Sequence, residues 1–249
     1  MNKLFKIFTA VLIALSLGTP SAFAKSDQGK ESLVALGDSI PFGYNLSQKN
    51  NNPAKIAFPS LLADEADLRV RNLGVPGWQT QDLLTALETN QKFRQAVSHA
   101  DYVTVNIGNN DFLDILRTAN AESGGNPLLF RQLLAQKLSN SDVFANVADI
   151  IEEIRTLTDA PIVLYNIYNP FQVNDPLHQV ADQFLPQINA AFAGIANAYS
   201  SGVLADAYSA FGDNQAQYVL PGDIHPTAAG QQVLAEIGLQ ALNANYVNN

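Results

Sequence analysis

Five short apolar segments recur along the chain, and each is followed by a stretch with helical periodicity. Short apolar runs are typical of strands buried on both faces, whereas apolar residues spaced three and four apart are typical of helices. A strand that alternates with a helix five times favours a parallel sheet covered by helices on both sides. We therefore predict an α/β fold whose strands lie at residues 33–36, 68–73, 102–107, 162–167 and 203–206.

The predicted helices lie between these strands. They occupy residues 59–66, 80–99, 111–118, 128–138, 143–157 and 185–199, and a last helix follows Pro226. No repeat, linker or low-complexity tract divides the sequence, which indicates one domain. In parallel α/β folds the reactive side chains collect beyond the carboxyl ends of the strands. The motifs that matter for chemistry should therefore follow the strands directly.

The first 24 residues are typical of a secretory signal peptide. Two lysines precede an apolar stretch at residues 7–17, and Ala22-Phe23-Ala24 provides the small residues that a signal peptidase requires. The apolar stretch is shorter than the roughly 20 residues of a membrane-spanning helix. We predict cleavage after Ala24, one folded domain at residues 25–249, a secreted or periplasmic location and no stable membrane insertion.

Composition excludes several other classes of function. The chain has 14 basic and 23 acidic residues, a net charge of −9, and no Lys or Arg after Arg155. Because nucleic-acid binding requires a basic face, we expect no nucleic-acid partner. The chain has no cysteine and only three histidines, without a His-x-x-x-His pair. We therefore expect no disulfide, no metal and no cofactor. The oligomeric state is left open.

A serine follows the first predicted strand, in Gly37-Asp38-Ser39-Ile40-Pro41. A serine on a sharp turn at the end of a strand can present its hydroxyl at the rim of the sheet, where a nucleophile is needed. Gly, Asp and Ser are also common turn formers, so this segment alone is compatible with a simple turn.

Two further motifs follow the second and third strands. Asn72-Leu73-Gly74-Val75-Pro76-Gly77 leads into a helix that Thr80 can cap, and its glycines can expose a backbone N–H to a ligand. Gly108-Asn109-Asn110-Asp111 can point an asparagine amide over the strand ends, with Asp111 as the cap of the next helix. Either segment alone is also a normal turn between a strand and a helix.

The fourth motif is Pro221-Gly222-Asp223-Ile224-His225-Pro226, directly before the last helix. His225 lies in a loop with a carboxylate nearby, and a carboxylate can fix the tautomer of an imidazole that acts as an acid and base.

In this order, the four motifs resemble the GDSL-type lipases and esterases of the SGNH hydrolase family, over nearly the whole chain after the signal. The resemblance implies a flavodoxin-like three-layer sandwich with a five-stranded parallel sheet. It also implies Ser39 as the nucleophile, His225 as the general base, and Ser39, Gly77 and Asn110 as donors of the oxyanion hole. The family usually places its acid three residues before the histidine, where this chain has Gly222. Either Asp223 orients His225, or a backbone carbonyl does so and the site is a dyad.

The resemblance implies a secreted serine ester hydrolase that acts on small or lipid-like carboxylic esters. Removal of acetyl groups from polysaccharides, or cleavage of phospholipids or thioesters, would use the same machinery. A non-catalytic ligand-binding domain on the same fold is the alternative from another class. It does not require Ser39, Gly77, Asn110 and His225 together.

Overall fold

The computed structural model describes residues 29–199 and 202–247. The predicted signal peptide lies outside these residues. Within them, no helix is both long enough and apolar enough to cross a membrane.

A single parallel sheet of five strands forms the centre of the described structure. Its strands are β1 Ser32–Gly37, β2 Arg69–Asn72, β3 Tyr102–Asn106, β4 Ile162–Tyr165 and β5 Gly202–Ala205. They pair in the order β2-β1-β3-β4-β5, and every pair is parallel. This is the flavodoxin-like order, in which the chain reverses direction across the sheet between β1 and β3. The prediction of the fold class is confirmed, and the strand boundaries differ from the predicted ones by one or two residues.

Helices surround the sheet, and three of the predicted ones differ by more than two residues at an end. The helix predicted at 111–118 extends to Glu122, and the short helices Ser39–Phe42, Ala207–Phe211 and Gln215–Tyr218 were not predicted. The predicted helix at 80–99 is broken at Asn90, whose side chain accepts a hydrogen bond from the backbone of Lys92 and caps a second helix. The predicted helix at 185–199 begins earlier, at Pro176, with Asp175 as its N-cap and Pro186 in its interior. The helices are α1 Ser39–Phe42, α2 Phe58–Glu65, α3 Thr80–Thr89, α4 Gln91–Ser98, α5 Asn109–Glu122, α6 Pro127–Ser139, α7 Val143–Leu157, α8 Pro176–Asn197, α9 Ala207–Phe211, α10 Gln215–Tyr218 and α11 Ala228–Val247.

The two faces of the sheet bury different apolar clusters. Along β1, Val34 and Leu36 join a cluster with α3, α4, α7 and α8, while Leu33 faces α2, α9 and α11. This alternation follows the two-residue period of a strand. Every residue of β1 and β3 is buried because helices cover both faces. A smaller third cluster joins α5 and α6 to α8. The carboxyl ends of β1 and β3 therefore lie at the centre of a rigid scaffold.

Candidate active site

The turn after β1 holds Ser39 at the carboxyl edge of the sheet. Gly37 has φ +144°, and a Cβ there would lie 1.9 Å from the carbonyl oxygen of Asn106, so only glycine fits against β3. The carboxylate of Asp38 accepts a hydrogen bond of 2.8 Å from the N–H of Ile40 and caps the one-turn helix α1. Ser39 is the first residue of that helix, so it lies directly beyond the carboxyl end of β1.

The loop before α11 places His225 above this serine. The loop is closed by an antiparallel bridge between Val219 and Pro226, and the N–H of Leu220 donates to the carbonyl of His225 at 2.9 Å. The hydroxyl of Tyr168 also donates to the carbonyl of Ile224 at 2.6 Å. These bonds fix the backbone of the loop that carries the imidazole.

His225 bridges the serine and an aspartate. Its Nε2 lies 2.9 Å from Oγ of Ser39, and its Nδ1 lies 2.7 Å from Oδ1 of Asp223. An ionised carboxylate can only accept a hydrogen bond, so Nδ1 is the protonated nitrogen and donates to Asp223. Nε2 is therefore free to accept from the serine hydroxyl. The sequence left open whether Asp223 or a backbone carbonyl orients His225. In the structure, the carboxylate of Asp223 contacts Nδ1 of His225.

The carboxylate of Asp223 has further donors on both oxygens. Oδ1 also accepts from the N–H of Ile224 at 2.7 Å, and Oδ2 accepts from Nδ2 of Asn45 at 2.7 Å. Burial acts to raise the pKa of Asp223. The hydrogen bonds from Asn45, Ile224 and His225 outweigh it and hold that pKa below its ordinary value. The aspartate is thus kept in its ionised form.

Asn45 was not predicted from the sequence. Its backbone is left-handed, with φ +65°, a conformation that asparagine adopts more readily than most residues. Its N–H donates to Oδ1 of Asn50, and Nδ2 of Asn50 donates back to Oδ1 of Asn45. Asn45 is 178 positions away from Asp223, and no local pattern in the sequence signals the contact.

The two predicted oxyanion donors outside the serine turn lie in the same cleft as Ser39 and His225. The cleft has a volume of about 650 Å³, and Ser39, Gly77, Asn110, Asp223 and His225 all line it. Gly77 has φ +84°, and a Cβ at this position would meet no atom within 4 Å, so its backbone faces open space. Nδ2 of Asn110 donates to the carbonyl of Trp78 at 2.8 Å, which fixes the orientation of the amide.

Thr80 and Asp111 do not cap helices as predicted. Gln79 is the N-cap of α3 and Gly108 is the N-cap of α5. Instead, the carboxylate of Asp111 accepts from the hydroxyl of Thr80 at 2.7 Å and from its N–H at 3.1 Å. Burial raises the pKa of Asp111, against the hydrogen bonds from Thr80. This pair ties the loop that carries Gly77 to the first turn of α5.

A second carboxyl group, that of Asp38, lies next to Ser39, and no role was predicted for its side chain. Asp38 is fully buried, and its Oδ2 accepts from Nδ2 of Asn109 at 3.1 Å. Burial raises its pKa from 3.8 to about 7, although the hydrogen bonds from Ile40 and Asn109 act in the opposite direction.

Among the described residues, no group of three or more His, Asp or Glu side chains is arranged to hold a metal ion.

The geometry agrees with the comparisons to known proteins. Residues 35–233 match the sequence model of the GDSL-like lipase/acylhydrolase family. The chain belongs to this family. Members are named for lipase and acylhydrolase activity, so membership supports the hydrolysis of esters as the chemistry of this cleft.

Two proteins with similar sequences and one solved structure show how far the similarity of this GDSL-like protein extends. It is 28% identical over 185 residues to the uncharacterized protein YpmR of Bacillus subtilis, covering 68% of this chain and 67% of that protein. It is 26% identical over 212 residues to the spore germination lipase LipC of Bacillus licheniformis, covering 82% of this chain and 92% of that protein. The crystal structure of the lipase Lip_vut3 from a goat rumen metagenome has the same fold, with a TM-score of 0.69 and 21% sequence identity. The match covers 85% of this chain and 97% of that one.

Proposed function

We propose that this GDSL-like protein is a secreted serine hydrolase that cleaves carboxylic esters through an acyl-enzyme formed on Ser39. The observation that carries the proposal is the series of contacts from Ser39 through His225 to Asp223, with distances of 2.9 Å and 2.7 Å. A nucleophile, a base within hydrogen-bond reach and a group that orients the base form the arrangement that covalent catalysis of acyl transfer requires.

In the first half of the reaction, Oγ of Ser39 attacks the ester carbonyl while Nε2 of His225 takes the serine proton. Asp223 keeps Nδ1 protonated and stabilises the imidazolium that forms. The tetrahedral intermediate then collapses, and the proton on Nε2 passes to the departing alcohol. The acyl group remains on Ser39.

In the second half, His225 removes a proton from a water molecule, which attacks the acyl-enzyme. The intermediate collapses, the carboxylic acid leaves, and the proton returns to Oγ of Ser39. In this cycle each proton moves through His225, and the free serine is regenerated.

The oxyanion that develops in both halves would be stabilised by three donors. These are the backbone N–H groups of Ser39 and Gly77 and the side-chain amide of Asn110. A donor that is already oriented stabilises the transition state by about 3–4 kcal/mol, as judged from its removal. The bond from Asn110 to the carbonyl of Trp78 supports such an orientation before substrate binds.

The test is hydrolysis of p-nitrophenyl acetate by the parent and by Ser39→Ala. We expect turnover by the parent and loss of turnover in Ser39→Ala. The control is Ser47→Ala, which removes an exposed hydroxyl that donates to the carbonyl of Lys49 and should retain parental turnover. A fluorophosphonate should label the parent at Ser39 and leave Ser39→Ala unlabelled. Persistent activity in Ser39→Ala overturns the serine assignment. Inactivity of the parent on every ester favours the non-catalytic ligand-binding domain.

We also propose that the chain is exported and cleaved after Ala24. The support is the sequence of residues 1–24. Expression of the full chain in a bacterial host should give an exported protein whose amino terminus is Lys25, as determined by amino-terminal sequencing. A cytoplasmic product that retains residues 1–24 contradicts this proposal.

A further inference from the structure

A narrow apolar cavity adjoins the catalytic cleft. Its volume is about 70 Å³, and its walls come from α5, α6, α8 and the segment after β4. Four residues line both the cavity and the cleft: Leu113, Pro170, Phe171 and Ile224. Ile40, the neighbour of Ser39, also lines the cavity. The cavity therefore adjoins the part of the cleft that contains Ser39.

The lining of the cavity is almost entirely apolar. Of its lining residues, Asn109 and Tyr168 have polar side chains. The amide of Asn109 already donates to Asp38 and Asn106, and the hydroxyl of Tyr168 donates to Ile224. Water needs two to four polar partners to occupy such a space, whereas hydrocarbon needs none. The chemistry of the lining therefore favours an apolar occupant.

The wall shared with the cleft is held in place before any ligand binds. The N–H of Phe171 donates to Oδ1 of Asn169 at 3.1 Å, and the carbonyl of Phe171 accepts from Nδ1 of His178 at 2.7 Å. Nδ2 of Asn169 donates to Asp182 on α8 at 2.8 Å. A preformed apolar pocket binds its ligand without the entropic cost of ordering a loop.

The size of the cavity restricts the shape of its occupant. It has about half the volume of the roughly 150 Å³ engineered cavity that accommodates benzene. A single unbranched chain fits such a space better than a ring system does. An acetyl group carries only one methyl beyond its carbonyl, so it can bury less apolar surface than a longer chain can.

We propose that the cavity binds the unbranched acyl chain of the substrate, so that this protein prefers esters of longer linear acids to acetyl esters. This inference rests on the proposed ester hydrolase function. It assigns the acyl chain to the space between α5, α6 and α8, and the alcohol part to the open cleft.

The experiment compares kcat/KM for p-nitrophenyl acetate and p-nitrophenyl butanoate, whose two additional methylenes match the small volume of the cavity. Each methylene buried in an apolar pocket contributes about 0.8 kcal/mol, so we expect the parent to prefer butanoate by about tenfold. Ala181 lies on α8 and lines the cavity but not the cleft. Ala181→Phe should lower this preference about tenfold by filling the cavity. The matched control is Ala190→Phe on the exposed side of the same helix, which should retain the parental preference.

A second variant and a binding measurement keep the test decisive. Val180→Phe also fills the cavity and replaces Ala181→Phe if that variant does not fold. By calorimetry, butanoic acid should bind Ser39→Ala, and the double variant Ser39→Ala/Ala181→Phe should bind it at least about tenfold more weakly.

The possible failures can be distinguished. A parent that cleaves no ester refutes the proposed function itself. If the parent cleaves the acetate and butanoate esters with equal kcat/KM, or if Ala181→Phe lowers both values equally, the assignment of the cavity is overturned and the hydrolase function remains. A parent that prefers the acetate ester also overturns the assignment and would favour a deacetylase.

Discussion

Asp223 stands only two residues before His225, yet its Oδ1 lies 2.7 Å from Nδ1 of that histidine. The short spacing is possible because the loop turns sharply at this point: Gly222 has φ +69°, and the N–H of Ile224 donates to the same oxygen of Asp223. The carboxylate consequently folds back beneath the imidazole. A spacing that departs from the usual family pattern has retained the contact that orients the base.

The first prediction concerns this contact. Asp223→Asn should lower kcat on p-nitrophenyl acetate by at least about 10²-fold, because an amide no longer enforces the productive tautomer and loss of such an acid can cost about 10⁴. The matched control is Asp175→Asn, which removes another carboxylate that lines the cleft and keeps the cap on α8, since asparagine caps equally well. A kcat within a few fold of the parent would show that His225 works without its acid.

The second prediction concerns Asn45, which holds the other oxygen of Asp223. Asn45→Gly removes the amide and preserves the left-handed backbone, since glycine adopts φ +65° freely. A hydrogen bond to a charged group contributes about 1.5–3 kcal/mol, so we expect kcat to fall about tenfold or more. KM should change little, because Asn45 does not line the cleft. The control is Asn52→Ala, at an exposed position of the same loop. An unchanged kcat would mean that Ile224 and His225 suffice to hold Asp223.

The fold and the motif positions could be predicted because both depend on local patterns. Apolar runs such as that of β1 are buried on both faces, and the first three motifs directly follow β1, β2 and β3, which places them at one edge of the sheet. The motif that contains His225 follows α10 instead, and tertiary structure brings it to the same edge. The break at Asn90 was missed because the apolar periodicity continues through α3 and α4, and only the cap at Asn90 interrupts the helix.

The contacts that support the site could not be predicted in this way. Thr80 and Asp111 each resemble a helix cap when viewed locally, but they bind one another across 31 positions. Asn45 and Asp223 are still further apart in the chain. The apolar cavity likewise depends on how α5, α6 and α8 pack, since no one of these helices forms it alone. Pairings of this kind follow from tertiary structure and have no signature in a single segment.

The third prediction tests the oxyanion hole. Asn110→Ala should lower kcat by about 10²–10³-fold, because the side chain would contact the carbonyl oxygen most strongly when it carries negative charge in the transition state. KM should remain near the parental value. Asn120→Ala is the control, at an exposed position of the same helix α5. A rise in KM with kcat unchanged would instead assign Asn110 to the binding of the ground state.

The fourth prediction uses the buried carboxyl of Asp38, whose pKa burial raises from 3.8 to about 7. Between these two pH values the folded protein retains a proton that the unfolded chain has released. Because the folded state binds more protons, the free energy of unfolding contributed by this group decreases as pH rises through that window and is constant above about pH 7. A shift of this size corresponds to a loss of up to about 4 kcal/mol.

Asp38→Asn removes the titration and retains an oxygen for the N–H of Ile40. In this variant the side-chain NH₂ of residue 38 can face Nδ2 of Asn109, which donates to Oδ2 of Asp38 in the parent. Two donors then face one another, and the resulting loss of stability does not depend on pH. We therefore expect the parent to lose stability relative to Asp38→Asn as pH rises from about 4 to about 7, as measured by urea unfolding across that range. Asp64→Asn, at an exposed position of α2, separates this effect from the loss of one negative charge. If the difference between the parent and Asp38→Asn is the same at every pH, the carboxyl beneath Ser39 does not titrate in this window, and its two hydrogen bonds keep it ionised despite its burial.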